Sequence, residues 1–256
     1  MDPARNPMTF LCETCGYVLQ GLPAHANCPE CGRGVAASLP AARGGTPWQR
    51  RAGLMSFLRT ATATVRRPAV VFESVRLEFA SGAWLMGLYL VIAAVIFLAP
   101  WSGVLLDDPL TAVRSGRLGE LVAAALVSVP LRVAAIAAAL LALTLVEWAG
   151  VQFFANRRGW RLTPLAAWQV CAHASVGWVL AAAFCCVSLV VWLNLSFFGL
   201  SGAITRLGGA ADWIMLGVPA AGAFAGMMIF ETLVYVGVQR CRYANRPVAL
   251  VQSVPA

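Results

Sequence analysis

Four cysteines near the N-terminus form two pairs with the spacing of metal ligands. Cys12 and Cys15 make the first CxxC pair, and Cys28 and Cys31 make the second, with 12 residues between the pairs. Two such pairs can place four thiolates in a tetrahedron around Zn²⁺, with Zn–S distances of about 2.3 Å. Because protein ligands fill all four positions, the motif predicts one structural zinc ion per chain rather than a catalytic one.

The cysteine-bearing segment, 8–34, is too short to bury a substantial core. A bound metal would therefore supply most of the free energy that folds it as a zinc ribbon. An iron–sulfur or rubredoxin-like iron site could use the same four thiolates and is the alternative. His25 lies between the two pairs, and with four cysteines available it is expected to be an ordinary loop residue.

The rest of the chain has the composition of a membrane protein. Hydrophobic residues make up 60% of the sequence and charged residues 12%, against about 25% charged in ordinary soluble domains. Two uncharged runs, 79–106 and 162–205, exceed the ~20 residues needed to cross the hydrocarbon layer. The predicted fold is therefore an all-α polytopic membrane bundle preceded by the zinc ribbon.

The membrane domain is expected over 83–238. The second span is expected to begin after Pro130, so that 118–130 lies at the outer surface or re-enters. The run 162–205 could also hold two spans, which would give five instead of four. The four spans are predicted near 83–100, 131–154, 165–198 and 213–238.

Three further segments flank these spans. Residues 35–47, rich in Ala, Gly and Pro, are expected to be a linker. Residues 48–80 interleave arginines with apolar residues at helical spacing, which predicts two short amphipathic helices on the membrane surface, the second opened by Pro68. The alternative is a basic stretch with no preference for lipid. Residues 239–256 are predicted to be a basic cytoplasmic tail.

The arginines indicate the orientation of the chain. All 19 basic residues are Arg, and nine of them precede the first predicted span. The turn after the second span and the tail carry three each, whereas the other two loops together carry three. By the positive-inside rule, both termini face the cytoplasm of a bacterial inner (plasma) membrane, which requires an even number of spans.

Besides Arg132, which is expected to reach the outer face of the second span, three ionisable residues fall inside the predicted spans, where such residues are costly and often functional. At ~1.5 Å rise per residue, Glu147, His173 and Glu231 each lie ~14–18 Å from the cytoplasmic arginines. They are therefore predicted to meet at one depth in the inner half of the bundle. Such a cluster could carry a proton or hold a metal ion. The alternative is a satisfied polar network that joins the helices.

Region 57–180 contains three distinctive stretches, FLRTATATVRRPAVVFESVR, VPLRVAAI and RLTPLAAWQVCAHAS. With these stretches the region resembles the bacterial Yip1-like membrane family. The family usually has five spans, and its eukaryotic members act in vesicle traffic and bind small GTPases of the Rab type. The resemblance implies a role in membrane organisation and brings no catalytic residues with it.

The expected function is interaction rather than catalysis. The sequence has no phosphate-binding glycine loop, no nucleophile elbow and no HExxH motif, which argues against an enzyme. The expected partners are membrane lipid and a cytoplasmic protein that the ribbon docks. The ribbon carries one basic residue, Arg33, against Glu13 and Glu30, which argues against nucleic acid. The rival function is a small transporter or ion-coupled carrier that uses Glu147, His173 and Glu231.

Overall fold

The computed structural model describes residues 9–99, 118–194 and 210–245. Within these ranges the chain is helical apart from the N-terminal head, which holds two isolated β-bridges. The helices are α1 (Pro47–Arg50), α2 (Leu54–Arg66), α3 (Pro68–Ser74), α4 (Phe79–Leu98), α5 (Leu118–Arg157), α6 (Pro164–Ala174), α7 (Val176–Asn194) and α8 (Ala210–Cys241).

Among the described residues, four stretches are long and apolar enough to cross a membrane, which confirms the predicted all-α polytopic class. The described part of the uncharged run 162–205 forms one span, in which α6 and α7 follow each other with only Ser175 between them. The Ser175 hydroxyl donates to the Cys171 carbonyl at 2.8 Å, so it continues the hydrogen bonding at the junction. The four stretches are Phe79–Leu98, Val122–Arg157, Pro164–Val191 and Gly217–Cys241.

The second span differs from the prediction. Pro130 was expected to end an outer or re-entrant segment, but α5 continues through it from Leu118 to Arg157. Proline removes one backbone hydrogen bond, yet a broken helix in lipid would leave several groups unpaired, so the helix continues. At 40 residues, α5 is about 60 Å long, against a hydrocarbon layer of about 30 Å. Part of it must therefore tilt strongly or project from that layer.

The chain forms two compact units. The second unit, Gly87–Leu143 with Gly177–Phe230, contains a close approach of α8 to α7. A methyl group on Gly222 would lie 2.8 Å from the Phe184 carbonyl oxygen, so glycine is needed there for the helices to approach. The Trp178 and Phe230 rings stack beside this contact, with their centroids 4.9 Å apart.

The first unit holds the head, α1 to α3, α6 and the adjoining ends of the long helices. As predicted, Pro68 is the first residue of α3. The segment 35–47, which is predicted to be a linker, has a defined local structure. It forms two 3-10 turns, Val35–Ser38 and Pro40–Ala42, and the Arg43 that follows is buried. Long-range polar contacts, such as those of Arg43 with Glu13 and with the Phe72 carbonyl, hold this segment in place.

Candidate metal centre and its attachment to the membrane unit

The two CxxC pairs are the same local structure built twice. Gly16 donates its N–H to the Cys12 carbonyl, and Gly32 donates to the Cys28 carbonyl, both at 2.9 Å. Both glycines have positive φ, 83° and 75°, a conformation that residues with a Cβ rarely adopt. The repeat is visible in the sequence as two CxxCG motifs, in which a glycine follows the second cysteine of each pair at the position where the turn needs it.

The four sulfurs lie close enough together to bind a single metal ion. All four Sγ atoms are within 4.8 Å of one another. Cys12 and Cys31 Sγ are 3.5 Å apart, and Cys15 and Cys28 Sγ are 3.6 Å apart. A tetrahedron with bonds of about 2.3 Å has S···S edges of about 3.8 Å. These cysteines could therefore hold a metal ion.

Backbone N–H groups point at the sulfurs and favour their ionised form. Burial acts to raise the pKa of Cys12, but the N–H groups of Cys15 and Thr14 outweigh it, together with the Cys31 and Cys15 thiols, and hold the pKa at about 7. Burial instead raises the pKa of Cys15 to about 12, and the neighbouring thiols add to the shift. Four thiolates this close repel one another unless a cation lies among them, so the donor set fits a metal ion.

The head has a small apolar cluster beside the sulfurs. Phe10, Leu19 and Val35 are buried there against Cys12 and Cys28. A cluster of this size cannot by itself outweigh the chain entropy lost in ordering the head, and a metal ion bound by the four sulfurs would add the missing free energy. His25 is exposed and stands outside the four-sulfur group, as the sequence analysis expected.

A buried ion pair attaches the head to the segment that leads to the first span. Arg43 contacts Glu13 through two hydrogen bonds, of 3.0 and 3.2 Å, and both side chains are about 95% buried. The same guanidinium donates to the carbonyls of Phe72 and Val75. Burial acts to lower the pKa of Arg43, but Cys241 and the Glu13 carboxylate raise it above its ordinary value, so the group stays charged.

Asn245, just beyond the last span, pairs with the backbone of the head. Its side chain accepts from the Leu11 N–H at 3.0 Å and donates to the Leu11 carbonyl at 2.7 Å. Its backbone N–H donates to the Glu13 carboxylate at 3.1 Å, and Arg161 donates to its side-chain oxygen at 2.7 Å. The first knuckle, which is the turn at residues 12–16, is therefore bound both to Arg43, which precedes the first span in the sequence, and to Asn245, which follows the last one. Single polar residues in loops and tails carry no periodic signal, so sequence reasoning did not find this contact.

The tail also covers the first knuckle itself. A methyl group on Gly16 would lie 2.8 Å from the Tyr243 ring, and Arg242 donates to the Thr14 carbonyl at 3.0 Å. The second knuckle differs, because Pro29, Glu30 and Cys31 are all exposed. The first knuckle is thus covered by residues that follow the last span, whereas the second knuckle is exposed.

The structure brings together two of the three predicted intramembrane residues. Glu147 and Glu231 line one cavity of about 360 Å³. His173 is fully buried in a different setting. Its Nδ1–H donates to the Gln169 carbonyl at 2.9 Å, and its Nε2 lies 3.5 Å from the Thr46 hydroxyl. Depth along a helix aligned the three residues, but depth does not determine which side of the helix each one faces.

The site has two properties: its cysteines could hold a metal ion, and its first knuckle is bound to residues near the ends of the membrane helices. The four sulfurs can hold an ion, and the network around Glu13 and Asn245 fixes that ion's domain to the ends of the membrane helices. No family model matches the chain, and neither a curated protein nor a solved structure matches it.

Proposed function

We propose that this chain is a non-enzymatic, multi-pass inner-membrane protein whose zinc ribbon holds a cytoplasmic protein partner at the membrane. The observation that carries the proposal is the difference between the two knuckles. Leu11, Glu13 and Gly16 attach the first knuckle, whereas Pro29 and Glu30 leave the second one open. A rigidly held surface loses less entropy on binding than a tethered one, which suits a docking role.

The metal in this proposal is zinc. Four thiolates in a closed tetrahedron are the donor set of structural zinc sites, and zinc brings no redox chemistry that would need a further partner. The resemblance to Yip1-like proteins supports the same type of role, because that family organises membranes and has no catalytic residues.

The proposed orientation places both termini in the cytoplasm. The distribution of arginines supports it, with nine before the first predicted span and three in the tail. The hydrogen bonds between Leu11 and Asn245 add support, since residues on opposite sides of a membrane could not form them.

A photoreactive amino acid at position 30 of the full-length protein tests the docking role. We expect irradiation of native membranes to give one discrete cross-linked product, which disappears when Cys28→Ser removes the metal centre. The matched control carries the same probe at Thr14, an exposed residue of the attached knuckle. Equal products from both positions, or none from position 30, would rule out docking through the second knuckle.

The cavity that Glu147 and Glu231 line favours a second candidate, an ion-coupled carrier. Two carboxyls at one membrane cavity could bind and release a proton or a cation. Glu147→Gln and Glu231→Gln keep the hydrogen-bonding capacity and remove the charge. A carrier should lose proton movement in proteoliposomes with either variant, whereas a structural pair should show none in the wild-type protein. Gln152→Glu, a further substitution on the same helix away from the cavity lining, serves as the control.

A further inference from the structure

Helix α2 turns its apolar side outward. Leu54 is 77% exposed, Leu58 48% and Val65 41%. The side that packs inward carries threonines, and both Thr60 and Thr64 are fully buried. A helix on the surface of a soluble protein has the opposite arrangement, with its apolar side against the core.

The outward residues form a continuous stripe with charge along one edge. Leu54, Leu58 and Val65 follow the spacing i, i+4, i+11 and therefore share a face of the helix. Arg59 and Arg66 are seven residues apart, two turns along the helix, and both are exposed at the flank of this stripe. An apolar stripe flanked by arginines is the pattern of a helix that lies in a membrane interface.

Hydrogen bonds place α2 beside the start of the first span. Trp48 is bound to α2, because its backbone N–H donates a hydrogen bond to the Thr60 hydroxyl at 3.0 Å. The indole N–H of the same Trp48 donates to the carbonyl of Ser81, in the first turn of α4, also at 3.0 Å. Helix α2 also contacts α6, which begins the third span. The stripe is therefore held at the level where two membrane helices begin.

We propose that α2 is an interfacial helix that binds the anionic headgroup layer of the protein's own membrane. Leu54, Leu58 and Val65 insert below the headgroups, and Arg59 and Arg66 bind lipid phosphates. Two observations favour lipid as the molecule that covers the stripe. The hydrogen bonds of Trp48 hold α2 at the level where the first span begins. The exposed arginines Arg59 and Arg66 lie along one edge of the stripe, where they can bind lipid phosphates. This inference does not depend on the ribbon's partner, and either can fail without the other.

The test uses the full-length protein with a fluorescent amino acid, dansylalanine, in place of Leu58. The protein is reconstituted in phosphatidylcholine vesicles, with or without phosphatidylglycerol, that carry doxyl quenchers at a shallow or a deep acyl position. We expect blue-shifted emission that the shallow quencher reduces more than the deep one. The control probe replaces Glu30 in the exposed second knuckle and should escape both quenchers.

A second experiment tests the role of the arginines. It uses native mass spectrometry to measure how much phosphatidylglycerol stays bound to the protein relative to phosphatidylcholine. We expect each of Arg59→Gln and Arg66→Gln to lower that ratio up to about fivefold, because a basic residue near an anionic surface contributes about that factor. Thr62→Gln, an uncharged change on the exposed side of α2, should leave the ratio unchanged.

Two results would overturn the proposal. Emission from position 58 as water-exposed as that from position 30 would mean that lipid does not cover the stripe. Emission that shifts with protein concentration in detergent, without doxyl quenching in vesicles, would mean that a second copy or another protein covers it.

Discussion

Replacing Cys28 with serine is expected to empty the metal centre and unfold the ribbon. Metal content of the purified full-length protein should fall from about one zinc per chain to nearly none, since structural zinc sites contribute about 10–16 kcal/mol of apparent binding free energy. The apolar cluster around Phe10 is too small to hold the head without it. Elemental analysis measures the zinc directly.

The control for this variant is Cys186→Ser, a change in α7 that is far from the metal ligands in the sequence. It should keep its full zinc content, which separates loss of a ligand from loss of any thiol. Full zinc in Cys28→Ser would contradict the four-thiolate site, and iron in the wild-type protein would favour the rubredoxin-like alternative.

Replacing Arg43 with methionine is expected to detach the ribbon from α3 and the residue that follows it, whose carbonyls Arg43 contacts. The substitution leaves the Glu13 carboxylate buried without its partner, which costs about 3–5 kcal/mol. The segment 35–47 should then become sensitive to protease, and thermal unfolding in detergent should begin at lower temperature. Limited proteolysis with mass spectrometry would locate the first cut.

A matched ion pair provides the control. Arg240 and Glu73 also form a salt bridge, at 2.6 Å, but their side chains are 48% and 43% exposed. Arg240→Met should therefore cost at most about 1 kcal/mol. Adding Glu13→Gln to Arg43→Met should restore part of the lost stability, because the buried charge is gone. Equal losses from Arg43→Met and Arg240→Met would show that burial of the first pair is unimportant.

Local patterns in the sequence predicted much of the fold. The CxxC spacing predicted the four-cysteine group, and long apolar stretches predicted the four helices that could span a membrane in the described part of the chain, because both signals are local in the sequence. Pro68 likewise predicted the start of α3, since proline favours the first turn of a helix. Pro130 misled for the complementary reason: in an apolar helix the surroundings decide whether proline interrupts it.

Long-range contacts could not be predicted in this way. Asn245 pairs with Leu11 across 234 positions, and no local pattern connects them. The position of His173 shows the same limit, because helical rise predicts depth but not the rotation of the helix. The outward face of α2 is a related case: its amphipathic pattern was readable, but only its contact through Thr60 shows which side faces inward.

The pairing of Leu11 with Asn245 also constrains the order of events during synthesis. The cysteines leave the ribosome early, and N-terminal regions generally fold first as a chain is made. Asn245 emerges only after the last span has been translated, so its pairing with the head cannot form before that span has been made. The contact between Arg43 and Glu13 can form much earlier, and the pairing with Asn245 then completes the attachment as a late step of biogenesis.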